Sequence, residues 1–338
     1  MFGISKILMG ICLLLCCLGS TKSSLLPVIV SKNISAIDTA EINLNKIFTN
    51  YNDPVITTDN PSCIIPFSRA GNLILIQAKA DTIQGNFILD TGAPGLVLNL
   101  TYFRNYSTTT HNDEDQGSIS GTNPVVNRTE LPNLSFGSFH YHKVEADMLS
   151  LGHIENSKGV KILGLLGMAM FKQCELIIDY EKNLIYLHHI ARKESNSYKA
   201  EMLKDSLAYN TVPINILENK VIVKSEMAGK KLKFVIDCGA ETNILDSRLP
   251  NKIFEQVTIN QRISLAGSGS KKVEALYGEM RNFKIGTNII NNLPVVITNL
   301  EKSCFSFGEC VDGVLGFDFL SLHKIGFNFV TNKMFIWK

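Results

Sequence analysis

The sequence predicts an all-β protein built of two homologous lobes related by an approximate two-fold axis. Three observations carry the prediction. Residues 65–93 align with residues 212–240 without a gap, at an offset of 147. Both copies consist of short runs rich in Ile, Val, Leu and Phe, broken by Gly, Asn and Pro every 8–12 residues or so. Each copy also ends an apolar run on an aspartate, Asp90 or Asp237, at the head of an Asp-x-Gly-Ala turn.

The repeat is specific in its identities. Pro66/Pro213, Asn72/Asn219, Phe87/Phe234, Asp90/Asp237, Gly92/Gly239 and Ala93/Ala240 coincide. Further along the offset becomes 149, and Gly137/Gly286, Gly164/Gly313, Gly167/Gly316 and Asn183/Asn332 follow. Strands are expected at 74–80 and 221–226, and at 87–89 and 234–236. Closing hairpins are expected at 176–180 with 184–187, and at 325–329 with 334–337. One short helix per copy fits 169–173 and 318–323.

The remaining segments divide the chain. Residues 1–20 read as an export signal: Lys6 is followed by an apolar run, 7–18, too short for a comfortable span, and then by Gly19 and Ser20. The alternatives are a single anchoring helix or a lipid anchor on Cys16 or Cys17. Residues 21–60 have no counterpart in the second copy and fit a removable pro-segment, an unstructured lead or a strand added to the first lobe. The first lobe is expected over 61–190, a polar linker over 191–204, and the second lobe over 205–338.

With 338 residues, 45% of them apolar, the chain can build two modest cores. Its 33 basic and 31 acidic residues form no stripe or tail, so nothing points to nucleic acid. Five cysteines lie beyond the signal, and Cys304 and Cys310 are spaced to pair in an oxidising compartment. No metal site is indicated. His140 and His142 share a face of a strand but lack further ligands, and His188 and His189 read as a solvated strand end. Asp179 and Asp318 are not repeat mates and read as turn or capping residues. Sequons at Asn33, Asn99, Asn105, Asn127 and Asn133 fit chance in an Asn-rich chain.

The chemistry lies in Phe87-Ile88-Leu89-Asp90-Thr91-Gly92-Ala93 and Phe234-Val235-Ile236-Asp237-Cys238-Gly239-Ala240. Each is followed by an apolar-apolar-Gly triplet ending at Gly167 or Gly316, 77 and 79 residues on (167 − 90 and 316 − 237). Two carboxylates facing each other about 3 Å apart cannot both ionise and share one proton. One then takes a proton from water while the other donates to a carbonyl. No metal, cofactor or covalent intermediate is required.

This pattern resembles the retropepsin and pepsin clan of aspartic proteases. In particular, it is similar to the tandem retropepsin-like proteins of bacterial envelopes, over most of the chain beyond residue 60. The resemblance implies two acid-protease β-barrel lobes, a catalytic pair Asp90 and Asp237, and supporting turns Thr91-Gly92-Ala93 and Cys238-Gly239-Ala240. It also implies a glycine-rich flap in each lobe, Gly117-Ser118-Ile119-Ser120-Gly121 and Gly267-Ser268-Gly269-Ser270. The expected protein is an exported monomer, periplasmic, envelope-bound or secreted, that acts as an internal pseudo-dimer on peptides or unfolded proteins. Two departures stand out. Cys238 occupies a position usually held by Thr or Ser, which leaves open an inactive peptide-binding protein on the same fold. Pro94-Gly95 after the first motif is also unusual. Cys238 as a nucleophile has no support, since no His lies near it in sequence and the repeat explains its place.

Overall fold

The computed structural model describes residues 55–111, 126–195, 197–266, 272–301 and 310–338. Both expected flap tips lie outside these residues, as do the export signal and Cys304. Cys310 is disulfide-bonded, while Cys63, Cys174 and Cys238 are free thiols.

In the first lobe, the strands Leu73–Ala80 and Ile83–Leu89 form a hairpin. The run ending at Leu89 then pairs in parallel with Gly164–Leu166, which is antiparallel to Leu96–Asn99. Leu96–Asn99 runs parallel to Phe139–Leu149. Val126–Phe136 pairs with both Phe139–Leu149 and Leu73–Ala80, so six strands close into a barrel without free edges. The core inside is dominated by apolar side chains: Phe87, Leu89, Phe139 and Tyr141 are completely buried, and the Tyr141 hydroxyl donates to Met170 O at 2.7 Å. Val55–Thr58, from the stretch that has no repeat mate, adds a further strand alongside Phe139–Leu149.

The second lobe repeats this plan. Lys220–Met227 and Lys230–Ile236 form the hairpin, Gly313–Leu315 lies parallel to Lys230–Ile236, and Ile244–Asp246 lies between Gly313–Leu315 and Leu293–Thr298. The duplication extends to backbone outliers. Positive φ recurs at Asp81 and Ala228 (51° and 52°), Gly137 and Gly286 (both 58°), Lys143 and Asn292 (53° and 57°), and Asn183 and Asn332 (53° and 54°). Glycine and asparagine tolerate this left-handed region best, which accounts for Gly137/Gly286 and Asn183/Asn332 being identical in both copies.

One six-stranded antiparallel layer joins the lobes, in the order Tyr209–Leu217, Lys333–Trp337, Ile325–Asn328, Cys174–Asp179, Leu184–His189, Ser62–Pro66. At its centre Ile177 pairs with Gly326, its own repeat mate at the offset of 149. The pseudo-two-fold axis therefore passes between these two residues. The short helices sit almost where expected: Met168–Phe171 is a 3-10 turn, and Phe317–Leu320 an α-turn.

Two sequence readings, of His188 and of Asp318, need correction. His188 is not solvated: the linker folds back so that Tyr198 stacks on it at 3.7 Å, and Ser62 Oγ lies 2.7 Å from His188 Nδ1. Asn99 is fully buried, caps Leu100–Phe103 through Thr101 N–H, and donates to Ile162 O. Asp179 does close a turn, accepting from Lys182 N–H at 3.0 Å. Asp318 instead receives the Thr242 hydroxyl at 2.5 Å, and burial raises its carboxyl above the ordinary range.

The lobes are also tied by a buried side-chain contact that sequence did not suggest. Glu241, directly after the second turn, accepts from Asn72 N–H at 3.1 Å and from the Lys158 ammonium of the first lobe. Its carbonyl accepts from Asn72 Nδ2 at 3.0 Å. Glu241→Ala would strand a buried ammonium, and is expected to cost about 3 kcal/mol in urea unfolding. Adding Lys158→Met should recover part of that loss. A double variant no more stable than Glu241→Ala would show that the pair is not what holds the lobes there.

Candidate active site

Each aspartate is delivered by the same local device. The last three residues of the strand preceding it are buried, the strand is hydrogen-bonded on both sides, and Asp90 N–H and Asp237 N–H donate to Leu166 O and Leu315 O, both at 3.0 Å. Those carbonyls precede Gly167 and Gly316, so the apolar-apolar-Gly triplets are the shelves on which the two turns rest. The turns meet across the pseudo-axis. A Cβ added at Gly92 would stand 2.5 Å from Asp237 Cγ, and one at Gly239 would stand 2.6 Å from Asp90 Cγ. Only glycine allows each carboxyl to lie against the opposite backbone.

The two acids are brought together and buried, with 1% of Asp90 and 3% of Asp237 exposed. Burial holds the Asp237 carboxyl well above the usual carboxylate range, and the adjacent Asp90 charge and a side-chain hydrogen bond with Asp90 act in the same direction. Their hydrogen-bond donors differ. Asp90 Oδ1 accepts from Gly92 N–H at 2.9 Å and Ala93 N–H at 3.0 Å, whereas Asp237 Oδ1 accepts from Gly239 N–H at 2.7 Å. Backbone N–H groups favour the ionised form. The geometry therefore suits Asp90 to carry the charge and Asp237 the shared proton.

The supporting turns are asymmetric. The Thr91 hydroxyl donates to Ile236 O and accepts from Cys238 N–H, both at 3.0 Å, and so ties the first turn to the second. Cys238 lies against the hydroxyl and backbone of Thr91, with burial pushing its thiol up to about 12. A thiol so hard to ionise is no nucleophile, and its weak hydrogen bonding leaves Thr91 as the principal clasp. Ala169 N–H donates to Pro94 O at 3.1 Å, and Gly95 O passes so close to Gly167 that a Cβ there would stand 2.1 Å from it.

Beyond the turns, Tyr180 follows the central strand of the first lobe into the site. Burial, together with the charges of Cys238 and Asp237, raises its hydroxyl, while Arg69 opposes them. Its ring packs edge-on against Phe317, directly after Gly316. No signal in the sequence marked it, because it sits at the end of an ordinary apolar strand. Among the described residues no cluster of three or more His, Cys, Asp or Glu could hold a metal. The arms leading to the second expected flap are present as the hairpin Val257–Ala266 with Lys272–Met280.

A family model described as aspartyl protease matches residues 76–170 and 223–319, one match in each lobe, together more than half of the chain. No curated protein matches the chain. Similar solved structures include basic 7S globulin from soybean, at 9% identity and TM-score 0.44, covering 82% of this chain and 95% of that one. An aspartic proteinase from Irpex lacteus is similar at 10% identity and TM-score 0.42, covering 82% and 97%. A retropepsin-like aspartic protease from Rickettsia conorii is similar at 17% identity and TM-score 0.28, covering 40% of this chain and 95% of that chain.

Proposed function

Since the chain belongs to the aspartyl protease family, we propose that it is an exported endopeptidase whose Asp90–Asp237 pair hydrolyses extended peptide segments. The observation that carries the reading is the mutual burial of the two carboxyls, each against the glycine of the opposite turn. Ionised Asp90 takes a proton from the attacking water. Asp237 gives its proton to the scissile carbonyl oxygen as the tetrahedral gem-diol forms. Collapse returns a proton to the leaving amine and restores the singly protonated pair. The glycine-rich segments around Gly117 and Gly267 would cover an extended substrate, as backbone-pairing loops do. Export follows from the signal-like residues 1–20 and suits a chain with a disulfide-bonded Cys310. The test is cleavage of an unfolded protein by the mature chain between about pH 3 and 7, the acidic range in which such pairs titrate, with loss of cleavage in pepstatin.

A second reading rests on Cys238, through which the second turn loses a hydroxyl clasp. An inactive peptide-binding protein would retain the cleft and bind without cleaving. Cys238→Thr separates the two. If the thiol only weakens one supporting hydrogen bond, worth about 1 kcal/mol, kcat/KM should stay equal or rise a few-fold. A silent wild type with an active Cys238→Thr variant would instead establish the binding protein.

A further inference from the structure

Among the positions where the lobes differ beside the acid pair is the one held by Lys220 in the second lobe and Leu73 in the first. In the second lobe the hairpin pairs Val221 with Ile236, so one further step along the ladder sets Lys220 opposite Asp237. In the first lobe Leu75 pairs with Ile88, and two further steps set Leu73 opposite Asp90. Residues opposed in an antiparallel ladder project to the same face. Lys220 and Leu73 are thus repeat mates at the offset of 147, one a cation and the other an aliphatic side chain. Both are buried, with 7% and 1% exposed. A buried lysine is costly unless its ammonium is paired or hydrogen-bonded.

We propose that Lys220 is a positioning residue that sets the working pH of the acid pair, biasing it through charge from the second lobe only. This rests on the reading of Asp90 and Asp237 as one catalytic unit. The charged and titratable groups facing Asp237 are Asp90 from the first lobe, Tyr180 from the end of the central strand, Cys238 in its own turn and Lys220 on the adjacent strand. Of the groups acting on Asp237, Lys220 alone is a cation; Arg69 acts on Tyr180 and lies over the Phe317 ring instead. Its ammonium favours the carboxylate form and opposes the burial that holds Asp237 protonated. Removing it should therefore make both protons of the pair harder to lose, and both limbs of the pH–rate bell should move to higher pH.

The experiment compares wild type, Lys220→Met and Lys220→Arg. In each, kcat/KM is measured against pH, and the Asp90 and Asp237 carboxyl carbons are titrated by 13C NMR, which needs no turnover. Lys220→Met is expected to move the bell and the carboxyl midpoints up by about one unit, the lower end of what an adjacent charge imposes. Lys220→Arg should leave both in place. Lys220→Leu copies the residue already accepted at position 73 and serves if the Met variant does not fold. Superimposable midpoints in wild type and Lys220→Met or Lys220→Leu would overturn the proposal. Moved midpoints in a protein that cleaves nothing would uphold it and remove the endopeptidase reading instead.

Discussion

Asp90→Asn and Asp237→Asn are each expected to lower kcat/KM by at least about a thousandfold, because the acids act as one unit and losing either removes the shared-proton state. The two variants should differ in stability. Asp237 binds its proton more tightly when folded than when unfolded. Its contribution is therefore fully present below the ordinary Asp value and is lost as pH rises through the elevated folded value. At neutral pH the wild type must either hold that proton against the solvent or bury a second charge. An amide does neither, so Asp237→Asn should be more stable than wild type in urea at pH 7, with the difference shrinking towards pH 3. Activity surviving in both variants would rule out the mechanism. A stability difference independent of pH would contradict the protonation assigned to Asp237.

Gly167→Ala is expected to be a severely damaging conservative change in the first lobe. Its Cβ would stand 2.1 Å from Gly95 O and 2.7 Å from Ala93 O, both backbone atoms with no rotamer to yield. Met168 N–H donates to Ala93 O at 2.9 Å, so retreat by that segment would also drag the Asp90 turn. A loss of more than about 3 kcal/mol follows from forced backbone movement in a packed core. The expected outcome is little soluble protein at 37 °C, and an Asp90 turn displaced from its partner in whatever folds. Near-wild-type urea midpoints would mean that the shelf beneath the turn is softer than its contacts imply.

The parts of the molecule legible in the sequence are those where the backbone restricts which residue fits. Gly92 and Gly239, Gly167 and Gly316, and Asn183 and Asn332 each answer a steric demand that both lobes share, so they recur in register and expose the repeat. What escaped was asymmetric or non-local. Glu241 has Pro94 as its repeat mate and finds its partners at Asn72 and Lys158, in the other lobe. His188 looks polar and terminal, and only the returning linker, with Tyr198 on top of it, buries it. Lys220 stood just outside the strand expected from Val221. The ladder from Val221 to Ile236, carried one residue further, was the available signal. The helix Gly152–Lys158 was also missed, since its single buried residue, Ile154, gives no helical periodicity to read.

The pairing of Ile177 with Gly326, each the other's counterpart, has a consequence for how such a protein can change over generations. In a dimer of identical half-sized chains, every substitution appears on both sides of the axis at once. A lysine beside one acid would bring a second lysine beside the other, and a glutamate latch would need to fit twice. Covalent fusion removes that constraint. It also holds the halves together at an effective concentration on the order of millimolar or higher, so neither half must retain an interface strong enough to find a free partner. Lys220 against Leu73, Cys238 against Thr91 and Glu241 against Pro94 are substitutions of the kind that become separately selectable only after two genes have become one.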